Sequence, residues 1–189
     1  MPIVKNKKIK ATHVDDHARA LRAQLYEIQV QVLKDGEEYT IITADGSKVL
    51  DAKGNGKVPN KKNFTDAGFD LYTPVDVVIQ PGEVVKVPLN IRMKLPSGAW
   101  ARIETKSGLG SKGMLVYAGV VDQDYRGIPH VIATNMNIKD GLPIEIKAGS
   151  KIAQMTLNPH SLEFYTTEVE HVDTATMRGE GGFGSTGST

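Results

Sequence analysis

The passage from Gly119 to Gly127 carries two carboxylates in a polar, turn-rich stretch between two apolar segments. Asp122 and Asp124 stand in it, and Tyr125 follows them directly. A carboxylate within hydrogen-bond reach of a water molecule can orient that water and accept its proton. Taken by itself, the passage favours a hairpin whose aspartates only form the turn, because aspartate is a common turn residue.

The C-terminal stretch from 178 to 189 is built from groups suited to phosphate oxygens. It combines Arg178, which can bond in bidentate fashion, with five glycines and the hydroxyls of Ser185 and Thr186. Two of the glycines have P-loop spacing, but Ser185 stands where that motif needs a lysine, so the P-loop interpretation fails. A plain linker is the alternative, yet a linker has no need of an arginine, a hydroxyl pair and Phe183. We predict a ligand-binding arm that is flexible without its ligand.

Three further segments carry weaker signals. Lys106, Ser107 and Gly108 bring a cation, a hydroxyl and exposed amides together in a loop that suits an anion. Residues 66–71 and 151–155 each read as an uninformative strand end when taken alone. Their order along the chain carries more information than any one of them.

Many short strands must position these residues. Apolar and polar residues alternate from 28 to 32, and similar runs recur along the chain between turns rich in glycine and proline. Pro88 interrupts one run, which predicts an edge strand or a bulge there. This pattern predicts an all-β sandwich, barrel or jelly roll. Further strands are predicted over residues 75–79, 84–93, 99–105, 114–118, 129–136, 144–147, 152–157 and 164–170.

The N-terminal region precedes this series of strands. Residues 12–25 have helical spacing, and we expect their apolar face to pack on this protein or its oligomer rather than on another molecule. Residues 39–42 and 48–50 flank a turn, which predicts a hairpin within an insert over about 35–58.

Composition limits the possible partners. The chain has 23 basic and 22 acidic residues, so no overall field favours nucleic acid or a membrane surface. Zero cysteines exclude a disulfide framework, a thiolate metal site and a cysteine nucleophile. No apolar run approaches the roughly 20 residues that span a bilayer. We expect a soluble cytoplasmic protein, or one of the host cytoplasm if the source is viral, with no nucleic-acid or membrane partner.

Read in order, the five segments resemble the five motifs of the trimeric dUTPase family over about residues 59 to 187. The specific matches are Ser-Gly-Leu-Gly, then Gly-Val-Val-Asp-Gln-Asp-Tyr-Arg-Gly, then Arg-Gly-Glu-Gly-Gly-Phe-Gly-Ser-Thr-Gly. The resemblance implies a jelly roll, a homotrimer with shared active sites, and hydrolysis of dUTP to dUMP and pyrophosphate. Together with the helical and strand patterns of the N-terminal region, it divides the chain into an arm and helix over 1–25, a β domain over 26–177, and a closing arm over 178–189.

The resemblance also implies roles for single residues. Asp122 matches the carboxylate that activates the attacking water, and Tyr125 matches the tyrosine that excludes a 2′-hydroxyl. Asp70 matches the acid that holds a water of a magnesium ion, which explains why no carboxylate cage is visible. Phe183 matches the ring that stacks on uracil. The substrate-binding positions implied are Lys106, Ser107, Gly108, Gly119, Val120, Val121, Tyr125, His130, Gln154, Arg178, Phe183, Gly184, Ser185 and Thr186.

The chain departs from the family pattern at Lys106 and Lys151, where arginine is usual. Each lysine keeps the charge but loses the planar fork, which affects either phosphate positioning or a structural ion pair.

Two other functions fit the same fold. One is dCTP deaminase, or its bifunctional form, which the motif over residues 119–125 and the C-terminal tail disfavour. The other is a regulatory protein that uses nucleotide-dependent arm closure as a switch, with residues 1–58 as a surface for a protein partner.

Overall fold

A computed structural model of the chain describes residues 27–34, 48–49, 54–160, 166–172 and 175. The predicted helix over 12–25, the first strand of the predicted hairpin and the arm over 178–189 lie outside the described residues. The strands are β1 Gln29–Val32, β2 Lys48–Val49, β3 Phe69–Tyr72, β4 Val77–Ile79, β5 Val84–Pro88, β6 Ile91–Lys94, β7 Ala99–Glu104, β8 Met114–Tyr117, β9 Val120–Val121, β10 His130–Asn135, β11 Ile144–Ile146 and β12 Lys151–Pro159. One helical turn, α1 Ser107–Gly110, follows β7.

Two four-stranded sheets form the body of this nearly all-β jelly roll. Their strand orders are β2-β5-β10-β8 and β3-β12-β7-β9, and the pairs β1-β6 and β4-β11 form two smaller ribbons. Strand alternation supplies the core, because every second residue points inward. Val85 and Val87 of β5 pack with Ile103 of β7 and Met155 of β12 in one cluster. That shared cluster holds the ends of β7, β9 and β12 in fixed positions.

The strand predicted over residues 84–93 is two strands. The break lies at Asn90, which is buried and has a φ of 51°, outside the range of an extended strand. Strand β5 pairs with β10 on one side and with β2 on the other, but the pairing with β2 involves only Val85 and Lys86, so Pro88 lies beyond it. Since the amide of Leu89 bonds to Pro129 on the β10 side, the nitrogen of Pro88 faces the opposite way and interrupts no bond to β10.

Most of the other predicted strands are confirmed within about two residues of their ends. Strand β1 shows the predicted alternation, with Val30 and Val32 more buried than Gln29 and Gln31. The strand predicted over 164–170 differs: residues 166–170 are exposed and outside any strand. In the part of the chain that the structure describes, no helix is long and apolar enough to cross a membrane.

Candidate active site

The turn after β9 presents a carboxylate at the edge of a cavity. Val121 ends β9 as a buried residue, and the next side chain, Asp122, is exposed. The carbonyl of Asp122 accepts a hydrogen bond from the amide of Tyr125 at 3.2 Å, which closes the turn. The cavity beside it has a volume of about 570 Å³ and is lined by Trp100, Val120, Asp122, Gln123, Asp124 and His160. A carboxylate in this position can reach solvent and a small ligand.

Tyr125 is held so that its ring stays on the hairpin. Its hydroxyl donates to the carbonyl of Ile128 at 3.1 Å, and its ring lies so close over Gly127 that a Cβ there would overlap it. Tyr125 as a whole is 44% exposed, so the residue is accessible to a ligand. A fixed and accessible aromatic ring suits contact with a sugar.

Close approach of two backbones explains the glycine that begins the hairpin. The amide of Ile103 donates to the carbonyl of Gly119 at 2.8 Å, and a Cβ on Gly119 would overlap the carbonyl of Ile103. Only glycine permits this approach. It brings Val120 and Val121 alongside β7 as strand β9, an element that sequence alone did not predict as a strand.

His130 contributes to the hairpin through its backbone and through one ring bond. It starts β10 opposite Pro88, and its Nδ1 lies 2.8 Å from the carbonyl of Ile128. A carbonyl only accepts, so Nδ1 carries the proton. Burial lowers the pKa of His130 below its usual value, outweighing the opposing effect of the bond to Ile128. The ring is therefore a neutral structural group.

Lys106, Ser107 and Gly108 lie where β7 ends and α1 begins. The carbonyl of Lys106 accepts from the amides of Leu109 and Gly110 at 3.0 and 2.8 Å, so the predicted loop contains a helical turn. Ser107 and Gly108 are exposed, and a Cβ on Gly108 would meet nothing within 4 Å. A hydroxyl and an open backbone are thus available to an anion here.

Lys106 and Lys151, where the family resemblance leads us to expect arginine, share one carboxylate. Lys106 donates to Oδ1 of Asp70, and the Nζ of Lys151 lies 2.6 Å from Oδ2 of Asp70. Burial pushes the pKa of Asp70 upward, but the hydrogen bonds from Lys106 and Lys151 outweigh it and hold the pKa below its usual value. Asp70 is therefore an ionised group that ties β3 to the ends of β7 and β12. We call this trio the Asp70 clamp.

Gln154 lies next to the Asp70 clamp. In β12 it pairs with Asp70 on one side and Glu104 on the other, and its Nε2 donates to the carbonyl of Thr105 at 3.2 Å. Gly68 leaves room for it, since a Cβ at Gly68 would lie 3.0 Å from Oε1 of Gln154. Three of the five segments, at Asp70, Lys106 and Gln154, therefore meet in one place.

The Asp122 turn lies far from that place. Because Val121 pairs with Ala101, Asp122 lies level with Trp100 near the start of β7. Lys106 lies six residues further along the same extended chain, roughly 20 Å away at about 3.3 Å per residue. Among the described residues, the structure thus separates the Asp122 turn, at the start of β7, from the group of Asp70, Lys106 and Gln154, at its end.

Among the residues that the structure describes, no group of three His, Cys, Asp or Glu side chains could hold a metal ion. Each oxygen of Asp70 accepts a hydrogen bond from a lysine ammonium group, and the positive charge of that group disfavours a metal ion bound directly to the same oxygen. Each carboxylate oxygen has a second lone pair, so Asp70 fits a bond to a metal-bound water. Magnesium keeps several waters and takes other ligands from substrate phosphates, which suits this arrangement.

Three cavity residues were not predicted from sequence. Trp100 and His160 reach the cavity through the register of β7 and β12, which no local pattern reveals. Gln123 lies between two aspartates and gave no signal of its own. Arg178, Phe183, Gly184, Ser185 and Thr186 lie outside the described residues.

The fold and these two groups define a jelly-roll protein with a carboxylate turn and a phosphate-type loop at opposite ends of one strand. The family model described as dUTPase matches residues 54–187, and the chain belongs to that family. The chain is 39% identical over 141 residues to the deoxyuridine 5′-triphosphate nucleotidohydrolase of Oryza sativa subsp. japonica, a match that covers 74% of this chain and 80% of that protein.

A second relative is far longer than this chain. It is the Pol polyprotein of ovine maedi visna related virus (strain South Africa), 40% identical over 139 residues that cover 74% of this chain and 12% of the polyprotein. Among solved structures, the Staphylococcus bacteriophage 80alpha dUTPase with dUPNHPP has a TM-score of 0.66 at 22% identity, covering 85% of this chain and 98% of that one. At that identity the structural match supports the fold alone.

Proposed function

We propose that the chain hydrolyses dUTP to dUMP and pyrophosphate, which keeps uracil out of DNA and supplies dUMP. Asp122 orients a water molecule for in-line attack on the α-phosphorus and accepts its proton. The observation that carries this proposal is the exposed carboxylate of Asp122 at the mouth of a cavity, in a turn with a fixed tyrosine ring. Membership of the dUTPase family supports the choice of substrate.

The hairpin that holds Asp122 selects the sugar and the base of the substrate. The Tyr125 ring lies against the deoxyribose and leaves no space for a 2′-hydroxyl. The backbone of Gly119, Val120, Val121 and His130 reads the polar edge of uracil and leaves no space for a 5-methyl group. This role is supported by the close backbone packing at Gly119, which fixes the hairpin against β7.

The site is shared between copies of the chain. The catalytic carboxylate must lie within about 3 Å of the water that attacks the α-phosphorus. The groups that bond the phosphate oxygens must lie equally close to those oxygens. Asp122 and Lys106 lie roughly 20 Å apart in one chain by strand geometry. We therefore infer that the loop at Ser107 and Gly108, together with Gln154, serves the Asp122 turn of a neighbouring copy in a homotrimer.

The triphosphate is bound by residues from both groups and by the C-terminal arm. Ser107, Gly108 and Gln154 bond phosphate oxygens, and Asp70 holds a water of the Mg²⁺ ion. The ion, when bound, shields phosphate charge. From the arm, Arg178 neutralises the γ-phosphate. Gly184, Ser185 and Thr186 bond the phosphates, and Phe183 stacks on uracil. The balance of charges and the absence of cysteine support a cytoplasmic location, or the host cytoplasm for a viral source.

Pyrophosphate release across a panel of nucleotides tests the activity. The wild-type chain should act on dUTP and spare dTTP, UTP and dCTP. Asp122→Asn should lower kcat by at least about a thousandfold while binding of a non-hydrolysable analogue survives, because the substitution removes only the base. The matched control is Asp124→Asn, a second exposed aspartate of the same turn, which should retain most of the activity. Full activity in Asp122→Asn would refute the assignment.

Mixing two inactive variants tests the shared site. Asp122→Asn and a double variant Ser107→Ala/Gln154→Ala damage opposite ends of β7. If each site combines the two ends from different copies, random reassembly of equal amounts should restore about a quarter of the wild-type activity. If each site belongs to one chain, the mixture stays inactive, because no chain in it is intact.

A further inference from the structure

Gln123 makes a bond that links the Asp122 turn to another part of the fold. The amide of Gly98 donates to Oε1 of Gln123 at 2.6 Å. Gly98 has a φ of 74° in the turn between β6 and β7, a conformation that favours glycine. The carbonyl of Gly98 accepts from the amide of His160 at 2.8 Å. One residue, Gly98, therefore joins the Asp122 turn to the turn before β7 and to the residue that follows β12.

The other bonds of the turn are local. Tyr125 bonds to the carbonyl of Asp122, and Nη1 of Arg126 bonds to the carbonyls of Gln123 and Tyr125 at 2.9 and 3.0 Å. These bonds fix the shape of the turn but not its placement. Within the described chain, the Gln123 bond is the one side-chain hydrogen bond from residues 122–126 to a segment outside the hairpin.

Gln123 also separates two cavities. It lines the cavity of about 570 Å³ that contains Asp122, and it lines a second one of about 300 Å³ that contains Lys94 and Arg126. Asp122 and Gln123 share a peptide unit, so the bond from Gly98 to the Gln123 side chain restrains the backbone that carries Asp122. Catalytic groups tolerate displacements of only about 0.5 Å and 10–20°.

We propose that Gln123 is a positioning residue, whose bond to Gly98 sets the direction of the Asp122 carboxylate toward the attacking water. The proposal rests on the proposed function, since it needs Asp122 to act on a bound nucleotide. Gln123 contacts neither the sugar nor the phosphates in this role, so its loss should affect the chemical step more than binding.

The test replaces Gln123 with three side chains. Gln123→Met keeps the length and removes the acceptor, Gln123→Asn keeps the amide but is one methylene too short, and Gln123→Glu keeps an acceptor in place. For the first two we expect kcat for dUTP to fall about five- to tenfold with KM changed less than about twofold, as for loss of one positioning hydrogen bond. Gln123→Glu should recover kcat to within about twofold of wild type.

The control is Gln29→Met, an exposed glutamine of β1 that lines the second cavity and should leave kcat unchanged. Thermal unfolding of each variant accompanies the kinetics, so that rates are compared between folded proteins. Wild-type kcat in both Gln123→Met and Gln123→Asn would overturn the positioning role, as would a KM rise without a fall in kcat. A loss in Gln123→Glu equal to that in Gln123→Met would also overturn it. If the wild-type chain itself releases no pyrophosphate from dUTP, the proposed function fails instead.

Discussion

Replacing Asp70 by asparagine tests how the phosphate end of the site is held together. The substitution keeps the shape of the side chain and removes its charge. Lys106 and Lys151 then lose the carboxylate that each of them contacts. The Asp70 clamp is the link between β3, the start of α1 and the start of β12, so both stability and phosphate binding should respond.

The expected loss of stability in Asp70→Asn follows from how exposed the ion pair is. Exposed ion pairs contribute about 0–1 kcal/mol, whereas removing one partner of a buried pair costs about 3–5 kcal/mol. The Asp70 side chain is 9% exposed and that of Lys106 is 26% exposed, which places this pair between the two cases. We expect Asp70→Asn to lower the free energy of unfolding by about 2 kcal/mol. For a chain of this length, that corresponds to a fall in Tm of about 4–8 °C.

The pH dependence gives a second signature of the same pair. The pKa of Asp70 is lower in the folded chain than its ordinary value near 3.8, so its contribution is fully present above that value. It is lost as the pH falls through the lower, folded-state pKa. The difference in Tm between wild type and Asp70→Asn should therefore be constant from about pH 5 to 7 and shrink below about pH 4.

Thermal unfolding followed by circular dichroism measures both effects at one fixed protein concentration, because an oligomer melts in a concentration-dependent way. The matched control is Asp76→Asn. Asp76 also contacts a lysine, Lys147, at 2.8 Å, but these side chains are 57% and 76% exposed. That variant should melt close to wild type. Equal Tm values for Asp70→Asn and Asp76→Asn would refute the argument from burial.

Three other changes test separate parts of the site. Deleting residues 178–189 should lower kcat/KM by about 10- to 100-fold, as expected from loss of one stacked base contact. The Tm of the body should not change. An unchanged kcat/KM would contradict a role for the arm. Gly119→Ala should lower the free energy of unfolding by about 1–3 kcal/mol and reduce turnover, because the added Cβ meets the carbonyl of Ile103. A Tm equal to that of wild type would show that the two backbones can separate. His130 has a lowered pKa, so the unfolded chain binds its proton first and stability should fall as the pH drops below about 6.5. In melts at a series of pH values, His130→Gln should reduce the dependence of Tm on pH in this range. An unaltered pH dependence would mean that other groups cause it.

The sequence predicted the strands well because alternation and turn residues are local signals. Runs such as 114–118 and 129–136 correspond closely to β8 and β10. It did not predict the break at Asn90, since a single residue of positive φ leaves the apolar alternation around it unchanged. Nor did it predict α1, because two glycines in four residues are poor helix formers and only local backbone bonds produce the turn.

The division of the site into two ends of β7 could not be predicted from the chain alone. Motif order says which residues matter but not how far apart they lie. That distance depends on the register between β7 and β9, which the close approach at Gly119 determines. A one-residue shift in such a register would turn every side chain to the other face of the sheet.

The two lysines in place of arginines are better understood as one coupled feature than as two separate departures. An arginine fork tends to occupy both oxygens of a carboxylate at once, whereas an ammonium group is a compact donor. Lys106 and Lys151 each take a different oxygen of Asp70, so one carboxylate serves both strand ends. Two ammonium groups lie against the Asp70 carboxylate near the exposed Ser107, and positive charge at this position favours a bound phosphate. In the proposed site, the lysines would keep the charge that the family resemblance assigns to arginines, while the hydroxyl and amides of the loop would supply the directional bonds.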